Sequence, residues 1–195
     1  MSPLKFSNAP PIPRAYWIAA VAVLAATAAI ELAMGRPPIC TCGTVRLWTG
    51  AVHGAENSQQ VADWYSLSHV IHGFLFYWIG WLVLSRNPPG DRLLAAILTE
   101  AGWELLENSP IVIARYRHAT AALGYSGDSI LNSVSDICFM LLGFALARRL
   151  PVWATVALAI FFELLALAII RDNLTLNVLM LVAPNDMIRN WQGGV

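Results

Sequence analysis

The stretch "AAILTEAGWELLENSPIVIA", residues 95–114, has the length and apolarity of a membrane span yet contains Glu100, Glu104 and Glu107. At ~100° per residue the three carboxyls fall within an arc of about 60°, so a helix here has one acidic stripe and is otherwise apolar. An ionised side chain at the centre of a span costs about 2.5–3.5 kcal/mol, and each large aliphatic residue returns only ~0.3–0.6 kcal/mol. Three carboxylates facing lipid would outweigh the nine Leu, Ile and Val of residues 92–114. The acidic stripe must therefore face inward, with its carboxyls paired, protonated or bound to a cation.

The remaining composition agrees with a membrane reading. The chain has 195 residues, 57% hydrophobic and 12% charged, with mean hydropathy +0.59. A soluble domain has roughly 45–50% apolar and about 25% charged residues. Twelve basic and twelve acidic residues cancel and no basic block occurs, which argues against a nucleic-acid partner and leaves the lipid bilayer. Three cysteines make no disulfide framework. Cys40 and Cys42 in "ICTCGT" form half a metal site at most, or a thiol pair in a loop, and Cys138 reads as a small packed hydrophobe.

Five spans are expected, at 15–34, 66–85, 92–114, 129–147 and 151–170, within one domain covering 15–195. Residues 1–14, polar and rich in Pro, read as a disordered tail. The first span is too long for a secretory leader and is read as a retained helix. The apolar part of the C-terminus, 174–183, is too short to cross and reads as an interfacial or re-entrant helix. The fold class is thus all-α, a polytopic helical membrane bundle. Lys and Arg divide six against six between the two sides; the shortest loops, "SRNPPGDR" and "ARRLP", favour a cytoplasmic N-terminus. Gly73 and Gly80, seven apart, are expected to let a neighbouring helix approach, and the aromatics Phe74, Phe76, Tyr77, Trp78 and Trp81 to supply lipid and packing surface.

Two further polar stripes accompany the acidic one. His69 and His72 open the second span. Asp128, Asn132, Ser135 and Asp136 cover an arc of roughly 100° at the head of the fourth. Alternation of spans puts the start of the second, the end of the third and the start of the fourth on one side. At ~1.5 Å per residue the three stripes share a depth, so three neighbouring helices can present them to one cavity.

Imidazole with carboxylate suits zinc, manganese or iron, and oxygen ligands alone suit magnesium or calcium. His69, His72, Glu100, Glu104, Asp128 and Asp136 are accordingly the candidate ligands of a divalent metal. Glu107 and Asn132 are candidates to orient substrate or act as base. Such a cation could activate water against a phosphate or acyl ester. The bland alternative is a hydrogen-bonded network that only locks the bundle. A proton carrier using Glu163 and Glu31 is a further non-enzymatic reading. Asp128 and Asp136, ~12 Å apart along one helix, cannot form an aspartate dyad between themselves.

The phrases "CTCGTVRLWTG", "ENSQQVADWYSLSHVIHGFLFY", "GDSILNSVSD" and "RDNLTLNVLML" resemble an uncharacterised family of bacterial, chiefly alphaproteobacterial, multi-pass membrane proteins. The resemblance covers nearly the whole chain and implies the bacterial inner membrane, with no activity attached. A fainter likeness is to VanZ-like proteins, in which a His-aromatic motif, an acid in the next span and Asp-x-x-x-Asn-x-x-Gly follow in order. His72, Glu104 and the Asp128/Asn132 pair fill those places, but Ser135 stands where that pattern has Gly. The second likeness implies an envelope-related role, and with the buried polar site it makes a lipid or envelope precursor the expected substrate.

Overall fold

In the computed structural model, which describes residues 11–50, 52, 54–120 and 124–194, the described residues form eight helices and no strand. They are α1 (Arg14–Ala33), α2 (Ser66–Val83), α3 (Pro89–Glu107), α4 (Pro110–Ala119), α5 (Ile130–Arg149), α6 (Val152–Ile170), α7 (Leu174–Val182) and α8 (Asp186–Gln192). The greater part of the expected N-terminal tail, residues 1–10, lies outside the described residues.

Four helices are long and apolar enough to cross a membrane: α1, α2, α5 and α6. The bundle is arranged inside out. Ile18, Trp78, Trp81, Val152, Trp153 and Leu164 are exposed, whereas Thr27, Glu31, His69, Glu100, Glu104 and Asp136 are buried. Water would drive the opposite arrangement; a hydrocarbon solvent removes that drive and makes polar side chains seek the protein interior. Helix α3, with Asp91, Arg92 and three Glu in 19 residues, is not among those four. It packs against α1, α2 and α5, and its Glu100 and Glu104 are 0% and 1% exposed, so the acidic stripe faces inward as its arc requires.

The third span ends earlier than its hydropathy indicates. A helix to residue 114 was expected; the chain instead breaks at Asn108–Ser109–Pro110. Pro110 disfavours helical backbone at Ser109, which is extended (φ −72°, ψ 148°) and caps α4 by accepting from the Val112 N–H at 3.4 Å. The apolar run 111–114 therefore belongs to a new helix, which also claims part of the loop expected at 115–128. The C-terminal segment forms two short helices rather than one, because Asn173 and Asn185 each cap a start and Pro184 separates them. Cys138 is exposed on α5 rather than packed, and Cys40 and Cys42 are bonded to each other.

Helices α2 and α5 meet backbone to backbone. A Cβ on Gly73 would strike the Met140 carbonyl, and one on Gly143 would strike the Val70 carbonyl. This is the close approach that small residues permit where packing rather than water drives association. Gly80 serves a different neighbour, resting against Arg92 of α3.

The connection between α1 and α2 folds back over the bundle. Its carbonyls at Pro37, Pro38 and Ser58 accept from the N–H groups of Ile130, Leu131 and Ser129, satisfying the donors at the start of α5. Residues 57–60 are all buried beneath it. Arg36 reaches across to the carbonyls of Ser126 (2.7 Å) and Asp128 (2.7 and 2.9 Å). Gly127, at φ +84°, leaves room for that guanidinium; a Cβ would lie 2.7 Å from it.

Candidate functional site

The stripes converge because the first turns of α2 and α5 lie beside the C-terminal half of α3. Helix α2 brings Ser66, His69 and His72, one turn apart; α3 brings Glu100, Glu104 and Glu107; α5 brings Asp136, with Asp128 just ahead of its cap Ser129. Between them lies a cavity of about 730 Å³ bordered by His69, His72, Glu100, Glu107, Asp128 and Asp136. An apolar part of its wall is made by Leu75, Phe76, Trp103, Leu106, Leu174 and Val178, and tyrosines, hydroxyls and amides complete it.

Glu100 receives both imidazoles. His69 Nδ1 lies 2.6 Å from Glu100 Oε1, and His72 Nδ1 lies 3.1 Å from each Glu100 oxygen. With each Nδ1 carrying the proton, both Nε2 lone pairs are free, the tautomer that suits a metal ligand or a general base. His69 Nε2 faces Asp136 Oδ2 at 3.7 Å, and Asp136 Oδ1 accepts from the Ser66 hydroxyl at 3.2 Å. Phe76 stacks on His72 with ring centroids 5.7 Å apart, so one member of the expected lipid-facing aromatics belongs to the site instead.

Glu104 has no such partners. It is 1% exposed, neither oxygen has a hydrogen bond, and its nearest cationic group is His69 Nδ1 at 3.5 Å, whose proton is directed at Glu100. Three sets of side chains hold ligand atoms within 4.8 Å of one another: His69, His72 and Glu100; His69, Glu104 and Asp136; Glu104, Glu107 and Asp128. His69 links the first two sets and Glu104 the last two.

Asp128 is fixed from three directions. Its carboxylate accepts from Tyr125 Oη at 2.8 Å and Asn108 Nδ2 at 3.0 Å, and its N–H donates to Asn108 Oδ1 at 2.7 Å. Burial pushes its carboxyl up to about 6, against the lowering by those two donors. Asp172, which also borders the cavity, is raised by burial to about 6 as well; it accepts from Tyr65 Oη at 3.1 Å and Gln192 Nε2 at 3.0 Å.

Of the eight residues singled out in the sequence, six border the cavity, and Glu104 is buried beside four of them, His69, Glu107, Asp128 and Asp136. Asn132 stands apart: its Nδ2 donates to the Gln60 carbonyl at 3.0 Å, tying the covering loop to α5. Ser135 bonds back to the Leu131 carbonyl of its own helix. Glu163 caps α7, accepting from the Leu174 N–H at 2.9 Å and the Thr175 hydroxyl at 2.5 Å. Sequence reasoning passed over Asn108, Tyr65, Tyr116 and Tyr125 as site residues, whereas alternation of spans puts Asp172, just after the fifth, on the side of the site. Asn108 had a signal, sitting one residue after the acidic stripe.

A family model described as "Protein of unknown function (DUF2585)" matches residues 31–194. The chain is similar to a UPF0314 protein of Rhizobium etli (strain CIAT 652), 58% identical over 183 residues, covering 93% of this chain and 94% of that one. It is similar to a UPF0314 protein of Sphingopyxis alaskensis, 57% identical over 183 residues and covering 94% and 97%. A third relative, from Agrobacterium fabrum, is 60% identical over 166 residues, covering 85% and 84%. No solved structure matches the chain.

Proposed function

The chain belongs to the DUF2585 family, and we propose that it is a multi-pass protein of the bacterial inner membrane that performs metal-assisted chemistry on a lipid or envelope precursor. In this reading His69, Asp136 and Glu104 would hold a divalent cation. Glu100 orients the imidazoles, His72 takes up a proton through Nε2, and Glu107 orients the polar head of the substrate. A cation of this kind lowers the pKa of a bound water and so supplies a nucleophile at neutral pH.

The observation that carries the reading is Glu104. A network serving only to lock helices would satisfy its members, since an unpaired buried carboxyl costs several kcal/mol. Here a carboxyl of the site that is 1% exposed lacks any hydrogen bond among the described residues and sits within ligand reach of an imidazole and of other acids. The substrate class follows from the cavity's two surfaces. Titratable groups line its inner end, and partly exposed apolar residues of α2, α3 and α7 line its other side, which fits a polar head with a long apolar chain.

Metal analysis of protein purified in detergent tests the proposal. A bound divalent cation that is lost in His69→Ala and Asp136→Asn, with helical content retained, is the expected result. Protein that takes up no divalent cation, or takes it up equally in both variants, removes the metal and leaves the packing network.

A further inference from the structure

Resting on that reading, we infer that the site holds two divalent cations, the second bound by Glu104, Glu107 and Asp128, with Glu104 bridging the pair. The two ligand sets that meet at Glu104 are each within 4.8 Å internally, and Glu104 is their common member. A single cation at His69 and Asp136 would use one carboxylate oxygen of Glu104 and leave the other buried and unpaired. A bridging carboxylate gives one oxygen to each cation and leaves none.

The second position is also built as a ligand shell. Asp128 accepts one hydrogen bond on each oxygen, from Tyr125 and Asn108, and each oxygen keeps a further lone pair. Donors of this kind fix the orientation of a ligating carboxylate. Arg36, the nearby guanidinium, is directed at the carbonyls of Ser126 and Asp128 rather than at a carboxyl. That guanidinium therefore does not pair with the three clustered acids, which leaves a proton or a cation to neutralise them.

The two positions differ in chemistry. The first has an imidazole and suits zinc, manganese or iron; the second has oxygen donors only and suits magnesium, manganese or calcium. Manganese fits both and is the probe of choice. Two cations held by a shared carboxylate are the arrangement that clamps both the attacking and the leaving oxygen at a phosphate ester, which narrows the substrate to an amphiphile with a phosphate-bearing head.

The experiment is a Mn²⁺ titration of chelator-stripped, detergent-purified protein, read by bound stoichiometry and by electron paramagnetic resonance. Two equivalents per chain and a spin-coupled spectrum are expected for the natural protein. Glu107→Gln should retain one equivalent and lose the coupling, and Asp128→Asn should do the same if Glu107→Gln fails to fold. One equivalent in the natural protein overturns the second cation and leaves the proposed function standing; none overturns both. Two equivalents that survive both Glu107→Gln and Asp128→Asn would place the second cation elsewhere and overturn the assignment.

Discussion

His69 and Glu100 meet at 2.6 Å, both buried, with the opposite nitrogen of the same imidazole turned toward Asp136 at 3.7 Å. A carboxylate that takes the Nδ1 proton holds the ring's tautomer and angle and raises the basicity of Nε2. Replacing Glu100 by Gln should therefore weaken divalent-cation binding about 10–100-fold without abolishing it. Competition against a chromogenic chelator measures this directly. An affinity equal to that of the natural protein would mean that Glu100 only packs.

That pairing marks how far the sequence could be read. The inward turn of α3 was legible because three acids on one arc leave a helix in lipid no other choice. The gathering of His69, Glu100 and Asp136 was legible because alternation of spans fixes which helix ends share a side. The identity of each contact was not. Asn132 and Asp136 lie on the same face of α5 one turn apart, and the one nearer the helix start is taken up by the Gln60 carbonyl of the α1–α2 connection, a long-range contact that no local pattern shows. The break at Pro110 was present in the sequence, but the apolar residues on both sides of it simulate a continuous span. Tyr65 and Asp172 are 107 residues apart, and no local pattern joins them.

The crossing itself can be tested. Gly143→Ala should destabilise by about 1–3 kcal/mol or more, because the added methyl meets backbone rather than a side chain that can move. Gly102→Ala, where a Cβ meets nothing within 4 Å, should be neutral or stabilising by up to about 1 kcal/mol. Thermal unfolding of both variants in one detergent gives the contrast; equal stabilities would reject the close packing of α2 on α5.

Asn108 holds Asp128 by its N–H and its carboxylate, and also donates to Ser133 Oγ at 3.2 Å. Asn108→Ala leaves the Asp128 N–H without its acceptor in a buried place. A loss of about 1–3 kcal/mol in stability is expected for such a group, together with weakened Mn²⁺ binding. Stability and binding measured on the same sample separate this residue from a merely exposed cap.

The raised carboxyl of Asp172 gives a pH signature. Its pKa rises from 3.8 in the free side chain to about 6 in the folded chain. Between those values the folded state binds more protons than the unfolded one. Stability from this group is full below about pH 4 and is lost as pH rises through 6. The loss is on the order of 3 kcal/mol. Asp172→Asn keeps an acceptor for Gln192 and should flatten that slope in a melting series from pH 4 to 7. An unchanged slope would show that Asp172 does not carry the effect.

The way into the cavity yields the last test. Gly102 borders it on α3, exposed and with open space around a would-be Cβ, next to Trp103 and Leu106. Leu75, Leu106 and Val178, about half exposed, form the apolar rim on three helices. If an alkyl chain enters there from the bilayer, an indole at position 102 occupies its path while leaving the polar groups and the fold untouched. Gly102→Trp should reduce labelling by a photoactivatable long-chain phospholipid several-fold and leave Mn²⁺ stoichiometry unchanged. Loss of metal together with labelling would mean that the indole disturbs the polar end as well. Undiminished labelling would show that the chain reaches the protein by another face, and the apolar wall would then be packing surface alone.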